Sequence, residues 1–279
     1  MIEVLHPGIH SSIQDLGRFG HQSLGVPIGG AMDQNAMLWA NSLLNNAENS
    51  AVLEMSYKGP KLLFHESTVI ALAGANMSAQ LNGVTIPNLS AVEIKEGDIL
   101  ECGNARGGIR TYMAVAGGIQ APKRLGSRSQ FKGITTDSRL SKTKLIPFHR
   151  VVFDLKKGAR LSTPKVDFID IKISVYKGPD FYLLPPKAQD QLLKSPFTIS
   201  VKNSRMAYLL EEKLIHQIPS IWTTPVLPGT VQCTPDGTLI ILMRDAQTTG
   251  GYPRVLQLSD EGLNLLAQKS THDSFQFQL

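Results

Sequence analysis

The sequence has 279 residues, of which 42% are hydrophobic and 18% are charged, and its formal net charge is +5 at pH 7. This composition is typical of a globular protein and excludes low-complexity disorder, collagen-like repeats and coiled coils. The 24 glycines and 16 prolines are too frequent for a helical bundle and favour short strands joined by turns. The length allows one large domain or two smaller ones.

The cysteine content and the first residues of the sequence indicate the cellular compartment in which we expect the protein. Cys102 and Cys233 are the only cysteines, too few for a disulfide framework or a cysteine metal site, which favours a reducing compartment. The first residues carry an acid where a signal peptide carries basic residues. The longest apolar stretch, residues 68–75, is too short to cross a bilayer. We therefore expect a cytoplasmic protein without a membrane segment.

Short strands separated by turn residues dominate the sequence. Asn82-Gly83 lies between two strand-like pairs and predicts a hairpin with a type I′ turn. The last residues alternate between apolar and polar side chains, which predicts a half-buried final strand. The predicted strands cover residues 69–72, 91–94, 99–102, 111–115, 171–176, 197–201, 239–243 and 274–279.

Three segments have the features of short helices. Asp33 precedes an apolar stripe at helical spacing, so it predicts an N-cap for a helix that continues to about residue 45. Residues 186–194 predict a second helix, and residues 259–268 predict a third with Ser259 as its cap.

Motifs recur in the same order in the two halves of the chain. Tyr-Lys-Gly-Pro occurs at residues 57–60 and at 176–179, and a Gly-Gly pair followed by proline occurs near residues 117 and 250. The preserved order predicts two copies of one all-β unit. The predicted parts are a first domain at residues 1–150, a second domain at residues 151–279, and a basic connection around residues 135–170.

Residues 121–172 form a basic block, with 13 basic and four acidic residues. Such a block can face phosphate, an acidic partner or nucleic acid. It lacks interleaved aromatic residues and any helix-turn-helix or RNA-binding motif, so we expect no nucleic-acid ligand. A solvated connection between two domains is the simplest interpretation.

The common catalytic and phosphate-binding motifs are absent. The sequence contains neither GxxxxGK[ST], GxGxxG, HExxH nor GxSxG. Pro7-Gly8 separates His6 from His10 and prevents a helical pair of metal ligands, so no metal site is predicted.

The first charged candidates lie in a glycine-rich segment near the N-terminus. Asp15 and Arg18 are three residues apart, close enough to pair with each other or to address a ligand together. Asp33 follows Gly29-Gly30 where a helix begins, and backbone N–H groups there can hold an anion. Local features favour structural roles, an N-cap for Asp33 and a turn salt bridge for Asp15 with Arg18.

Two further arginines lie next to turns. Arg128 is flanked by two serines in the turn at residues 126–129, which suits an oxyanion or phosphate but equally suits plain solvent exposure. Arg205 follows a strand and is interpreted either as a ligand-binding cation or as an edge-strand charge.

Residues 245–253 are the strongest site candidate from local chemistry. They follow an apolar strand and offer neutral donors and acceptors on Gln247, Thr248 and Thr249. Gly250 and Gly251 allow a ligand to approach the backbone closely. A simple connection from strand to turn would not need such a density of polar residues.

Several of these motifs occur together in one order. They are QDLGR at residues 14–18, GVP at 25–27, GGAMD at 29–33, LE at 53–54, GP at 59–60, AGG at 116–118, GSRS at 126–129, PDG at 235–237 and QTTGGYP at 247–253. This set resembles the allophanate hydrolase subunit 2 family over nearly the whole chain. The family includes the C subunit of bacterial ATP-dependent 5-oxoprolinase, the antagonist of a sporulation-kinase inhibitor and the carboxyltransferase part of urea carboxylase. Residues 203–210 depart from the family pattern by losing one acid and one arginine, and the glycine-rich segment after residue 129 is shortened.

The resemblance implies a mainly β fold with two cyclophilin-like β-barrel units and a few short helices. It implies a component, inactive alone, of a hydrolase complex that opens 5-oxoproline to L-glutamate with ATP hydrolysis. The implied partners are a related B subunit, similar to allophanate hydrolase subunit 1, and an A subunit of the LamB/YcsF type. The implied cofactor is ATP with magnesium.

Two alternatives stay open under the same resemblance. One is a biotin-dependent carboxyltransferase of the urea carboxylase type, in which the same pocket accepts carboxybiotin. This chain carries no biotinyl or biotin carboxylase module, so biotin chemistry would need further subunits. The other is a non-enzymatic regulator that binds a related kinase-inhibitor partner.

The resemblance and the residue types together predict the site. Cations are needed for phosphate and for developing negative charge, an acid could orient a nucleophile or a metal, and neutral polar groups could hold the lactam or its carboxylate. The predicted catalytic residues are Asp15, Arg18, Asp33, Arg128 and Arg205, and the predicted substrate-binding residues are Gln14, Gln247, Thr248, Thr249, Gly250 and Tyr252.

Overall fold

The computed structural model describes residues 1–151 and 172–279. They form two compact units, each with its own core of buried apolar side chains. Of the described residues, the first unit contains 1–18 and 33–151, and the second contains 19–32 and 172–279. The predicted boundary between residues 150 and 151 stays a prediction, because it borders the segment that is not described. The assignment of residues 19–32 to the second unit departs from the continuous first domain that we expected.

The first unit consists of two antiparallel sheets and one helix. Its elements are β1 (Ile2–His6), β2 (His10–Gln14), α1 (Gln34–Leu43), β3 (Val52–Ser56), β4 (Lys61–Phe64), β5 (Thr68–Asn76), β6 (Gln80–Leu81), β7 (Val84–Thr85), β8 (Ala91–Ile94), β9 (Ile99–Glu101), β10 (Arg106–Val115) and β11 (Leu145–Ile146). The six-stranded sheet has the order β11-β1-β4-β9-β6-β7, and the five-stranded sheet has the order β2-β3-β10-β5-β8. Apolar side chains from both sheets, among them Phe64, Leu53 and Met113, form one buried cluster.

The second unit is built around a closed barrel. Its elements are β12 (Lys172–Lys177), α2 (Pro186–Lys194), β13 (Phe197–Asn203), β14 (Ala207–Lys213), β15 (Thr224–Pro225), β16 (Thr230–Cys233), β17 (Thr238–Leu242), β18 (Thr249–Gly250), β19 (Arg254–Leu258), α3 (Asp260–Leu266) and β20 (Ser274–Gln278). The barrel order is β12-β19-β16-β17-β14-β13-β20, and β15 pairs with β18 as a separate two-stranded ribbon. Phe197, Val231 and Phe277 belong to the apolar cluster of this unit.

The three predicted helices are confirmed. The Asp33 carboxylate accepts a hydrogen bond from the Ala36 N–H and caps α1, and the Ser259 hydroxyl accepts one from the Gly262 N–H and caps α3. Helix α2 covers the predicted residues, with proline at its first position, where a missing N–H costs nothing. Within the described ranges, no helix is both long and apolar enough to cross a membrane.

One turn confirms a further sequence prediction. Asn82 and Gly83 have φ values of 50° and 83°, as a type I′ turn requires, and they join β6 to β7.

The repeated Tyr-Lys-Gly-Pro motifs each place glycine where a side chain would not fit. A Cβ on Gly59 would lie 2.3 Å from the Cys102 Cβ, and one on Gly178 would lie 2.1 Å from the Arg254 carbonyl oxygen. In both units this glycine lets two segments of backbone approach closely.

Candidate functional site

The turn at residues 126–129 encloses the carboxylate of Asp15 in the first unit. Oδ1 accepts hydrogen bonds from the hydroxyls of Ser127 and Ser129, each at 2.6 Å, and from the Gly17 N–H at 2.9 Å. Oδ2 accepts the Arg128 N–H at 2.6 Å. Asp15 is only 2% exposed. The turn therefore holds an anion, as its residue types predict, but that anion is a side chain of the same protein.

The guanidinium groups of Arg18 and Arg128 are also directed at protein atoms. Arg18 is buried and donates to the Ser129 carbonyl oxygen. Arg128 donates to the Gln120 Oε1 at 2.6 Å and to the carbonyl oxygen of Ala121. These contacts favour a structural role for both arginines, which join the turn to its surroundings. The catalytic roles stay a prediction.

A buried row of polar residues supports the start of α1. Ser12, Glu54 and Tyr112 are neighbours across β2, β3 and β10. The Tyr112 hydroxyl donates to Glu54 at 2.9 Å and accepts the backbone N–H of Asp33 at 2.8 Å. Burial and the nearby Glu54 carboxylate raise the pKa of Tyr112 well above its usual value. Tyr112 therefore remains a neutral hydrogen-bonding group that anchors the residue capping α1.

Arg205 forms an ion pair within the second unit. Its Nε and one terminal nitrogen donate to the two carboxylate oxygens of Asp245 at 2.9 and 3.0 Å. The same terminal nitrogen donates to the Gly30 carbonyl oxygen at 2.6 Å. The Gly29 N–H in turn donates to the carbonyl oxygen of Arg244. Arg205 therefore links Gly30 in the segment 19–32 to Asp245 through one guanidinium group.

A cavity of about 510 Å³ lies within the second unit, and we call it the amide cavity because three of its six polar side chains are carboxamides. Its lining is mainly apolar, and Lys202 is the only charged residue among the described residues that line it. The volume and the apolar lining are typical of a small-molecule site. The lining residues are Val201, Lys202, Asn203, Ser204, Met206, Ala207, Leu209, Gln232, Ile240, Leu242, Gln247, Gly250, Gly251 and Tyr252.

Two glutamines of the amide cavity have unusual surroundings. The Gln247 Oε1 is buried and has no hydrogen-bond partner among the described residues. Gln232 is 1% exposed, and its Nε2 makes a long 3.4 Å hydrogen bond to the Tyr252 carbonyl oxygen. A Cβ on Gly250 would lie 2.4 Å from that Nε2, so glycine at this position leaves room for the Gln232 amide.

The predicted substrate-binding residues separate into three places. Gln247, Gly250 and Tyr252 line the amide cavity. Thr248 and Thr249 line a different cavity of about 500 Å³ in the same unit. Gln14 belongs to the first unit, where its Nε2 donates to the Ser12 hydroxyl and the Gln130 carbonyl oxygen. The structure therefore brings together only part of the predicted binding set.

Gln232 and Lys202 are two polar cavity residues that the sequence did not point to. Gln232 carries the one side-chain amide of the buried strand β16 and lies between Val231 and Cys233. A glutamine within an otherwise buried strand could have indicated a binding residue, because a buried amide needs a hydrogen-bond partner. Lys202 lies near the end of β13 and carries no comparable local signal.

The described residues contain no group of three side chains able to hold a metal ion. Burial, with a smaller effect from Glu101, raises the pKa of the Cys102 thiol to about 12. Burial, with a smaller effect from Asp236, raises the pKa of the Cys233 thiol to about 11. Both cysteines are therefore protonated at neutral pH, which is opposite to what a cysteine nucleophile requires.

Comparisons with known proteins agree with the motif-based resemblance. The 5-oxoprolinase C subunit of Escherichia coli is 31% identical over 282 residues, covering 96% of this chain and 87% of that protein. The urea amidolyase of Saccharomyces cerevisiae is 41% identical over 131 residues, covering 47% of this chain and 7% of that protein.

A solved structure and a family model cover almost the whole chain. The structure of K. lactis urea amidolyase superposes with a TM-score of 0.89 at 28% identity, covering 99% of this chain. The chain spans only 18% of that larger protein. The likeness confirms the predicted mainly β fold class with its cyclophilin-like units. A model described as the carboxyltransferase domain, subdomain A and B, matches residues 24–279. This chain therefore belongs to the carboxyltransferase domain family.

Proposed function

We propose that this chain is the C-type component of an ATP-dependent 5-oxoprolinase, which opens the lactam of 5-oxoproline to L-glutamate. The observation that carries the proposal is the similarity to a 5-oxoprolinase C subunit over 96% of this chain. We propose further that the chain acts with a related B subunit and a LamB/YcsF-type A subunit and is inactive alone. A cytoplasmic location remains a prediction.

Coupling to ATP has a chemical reason. The carbonyl carbon of a five-membered lactam is a poor electrophile, and its oxygen is a poor leaving group. Phosphorylation of that oxygen activates the carbon, so that one water adds to it and the ring C–N bond breaks, with the nitrogen taking up a proton. The product of this step is an acyl phosphate, and a second water then releases phosphate to give glutamate. Groups that stabilise the negative charge of the transferred phosphate are then needed near the lactam oxygen.

We propose that this chain binds the lactam and that the assembled complex binds ATP with magnesium. The amide cavity offers neutral hydrogen-bonding groups within a mainly apolar lining, which suits an uncharged ring amide. The predicted phosphate-binding cations are directed elsewhere, since Arg128 donates to Gln120 and Ala121 and Arg205 pairs with Asp245. If the partner proteins bind the phosphate, this chain needs only neutral groups in its cavity, and its arginines can contact other protein atoms.

A carboxyltransferase is the second candidate function. The local similarity to urea amidolyase favours it, at 41% identity over 131 residues. The same amide cavity would then accept the ureido ring of carboxybiotin, which also carries an N–H beside a carbonyl. Such a role would require biotin carboxylase and biotin carrier partners.

Reconstitution tests the proposal directly. The chain is mixed with candidate A and B subunits from the same organism, and glutamate and ADP are measured with 5-oxoproline and MgATP. We expect both products to form together in the complete mixture and to disappear when this chain is omitted. Turnover that is equal without this chain would contradict the proposal.

A parallel arm separates the second candidate. Biotin carboxylase, biotinylated carrier, urea and bicarbonate are supplied in place of 5-oxoproline, and carboxylated urea is measured. Product in this arm alone would replace the oxoprolinase proposal with carboxyl transfer.

A further inference from the structure

We propose that the side-chain amides of Gln232 and Gln247 together recognise the N–H and C=O of a five-membered ring amide in the amide cavity. Gln247 accepts the ring N–H, and Gln232 donates to the ring carbonyl. The inference deepens the proposed function and rests on it for the choice of 5-oxoproline as the first ligand. The ureido ring of biotin presents the same pair of groups.

Gln247 supplies the acceptor. Its Oε1 is buried in the cavity wall without a hydrogen-bond partner among the described residues. A buried acceptor without a donor is costly in a folded protein, and a ligand N–H removes that cost on binding. The site thus favours a ring with an N–H over a ring of the same shape with oxygen at that position.

Gln232 supplies the donor. Its amide group carries two N–H bonds, and within the described ranges the only hydrogen bond that its Nε2 makes is the 3.4 Å contact to the Tyr252 carbonyl oxygen. One N–H of this 1%-exposed side chain is therefore available to a carbonyl in the cavity. Gly250 fixes where the amide lies, because any Cβ there would overlap Nε2.

Lys202 adds a selective element for 5-oxoproline. It is the only charged residue of the cavity lining, and no acidic side chain pairs with it in the part of the chain that the structure describes. 5-oxoproline carries a carboxylate on the carbon next to the ring nitrogen. Biotin carries its carboxylate at the end of a flexible chain, so the same lysine discriminates less for biotin. The remaining apolar lining suits the ring methylenes.

Binding to the full chain tests the inference by calorimetry. The ligands are L-5-oxoproline, its lactone analogue with ring oxygen in place of N–H, 2-pyrrolidinone and free biotin. We expect the lactone to bind about tenfold more weakly than 5-oxoproline, because it cannot donate to Gln247. The Gln247→Leu variant is expected to bind lactam and lactone equally, since the distinguishing acceptor is gone.

Two further variants test the other contacts. Gly250→Ala is expected to displace the Gln232 amide and to weaken 5-oxoproline binding about as much as Gln232→Leu. Lys202→Met is expected to weaken binding of 5-oxoproline about tenfold and to leave 2-pyrrolidinone, which has no carboxylate, unchanged. Gln278→Leu is the matched control, because Gln278 is exposed and lies outside the cavity lining.

The outcomes separate this inference from the proposed function. If only biotin binds, and Gln247→Leu weakens it, ring-amide recognition is supported while the oxoprolinase proposal fails. If the reconstituted complex turns over 5-oxoproline but its KM is unchanged in Gln247→Leu and Gln232→Leu, the oxoprolinase proposal is supported and this inference is wrong. Unchanged binding of every ligand in folded variants would also overturn it.

Discussion

Replacing Asp15 should destabilise the first unit strongly, whatever its effect on activity. Four donors converge on its buried carboxylate, two of them serine hydroxyls that can rotate and two of them backbone N–H groups that cannot. In Asp15→Ala the N–H groups of Gly17 and Arg128 lose their acceptor, at about 1–3 kcal/mol each. With the lost hydroxyl bonds, we expect about 3–5 kcal/mol of lost unfolding free energy.

Asp15→Asn is the more informative change because it preserves shape. An asparagine Oδ1 keeps the contacts to Gly17 and the serines, but its amide nitrogen faces the Arg128 N–H, so two donors oppose each other. The loss of the negative charge and of one hydrogen bond predicts a cost of about 2 kcal/mol. The expected order of stability is therefore wild type, then Asp15→Asn, then Asp15→Ala.

Urea unfolding followed by Trp39 fluorescence measures the stability of the first unit, which contains Asp15. Trp39 lies in α1, and the other tryptophan, Trp222, is 94% exposed in the second unit, so Trp222→Phe makes Trp39 the single reporter. Glu101→Gln is the control, because Glu101 lies in the same unit and its ion pair with Lys61 is exposed and should be worth well under about 1 kcal/mol. An Asp15→Asn protein within about 0.5 kcal/mol of wild type would refute the structural account of this turn.

Three further predictions follow from the packing and the charges. Gly178→Ala should cost more unfolding free energy than Gly126→Ala, because a Cβ at Gly178 would overlap the Arg254 carbonyl oxygen, whereas Gly126 has open space and only its φ of 80° strains alanine, by about 1–2 kcal/mol; equal melting temperatures would contradict this. Unfolding free energy should fall as pH rises from about 9 towards 11–12, because the folded state, with its raised thiol pKa values, keeps Cys102 and Cys233 protonated after the unfolded thiols have ionised. If the variant with both Cys102→Ala and Cys233→Ala loses as much stability at alkaline pH as the wild type does, the two thiols are not the cause of that loss. Binding to the B subunit should weaken as salt rises if the exposed cations Lys123, Arg124, Lys132, Arg139 and Lys142 lie in the interface, and salt-independent binding in sedimentation experiments would exclude them.

The helices and the hairpin could be predicted because their signals are local. Asp33 and Ser259 cap helices through hydrogen bonds to N–H groups three residues away, and Asn82-Gly83 sets its own turn by positive φ. Neither prediction depends on residues distant in the sequence. The repeated glycines were equally visible, although only the structure shows that they allow close backbone approach.

The candidate site was harder to predict because its contacts are long-range. The turn at residues 126–129 has the residue types of an anion site, but the anion it holds is Asp15, more than a hundred residues earlier. Likewise the local sequence offers Arg205 no partner, yet its guanidinium pairs with Asp245, 40 residues away. Thr248 and Thr249 neighbour Gln247 in sequence, yet they line a different cavity.

The central claim is that the amide cavity of the second unit binds the substrate. Side-chain amide resonances of the ¹⁵N-labelled chain, recorded by NMR during titration with 5-oxoproline, test it most directly. We predict saturable shifts of the Gln232 and Gln247 amide groups, with those of Gln14 and Gln130 in the first unit unchanged. Shifts confined to the first unit, or no shifts while the reconstituted complex turns over 5-oxoproline, would contradict the claim.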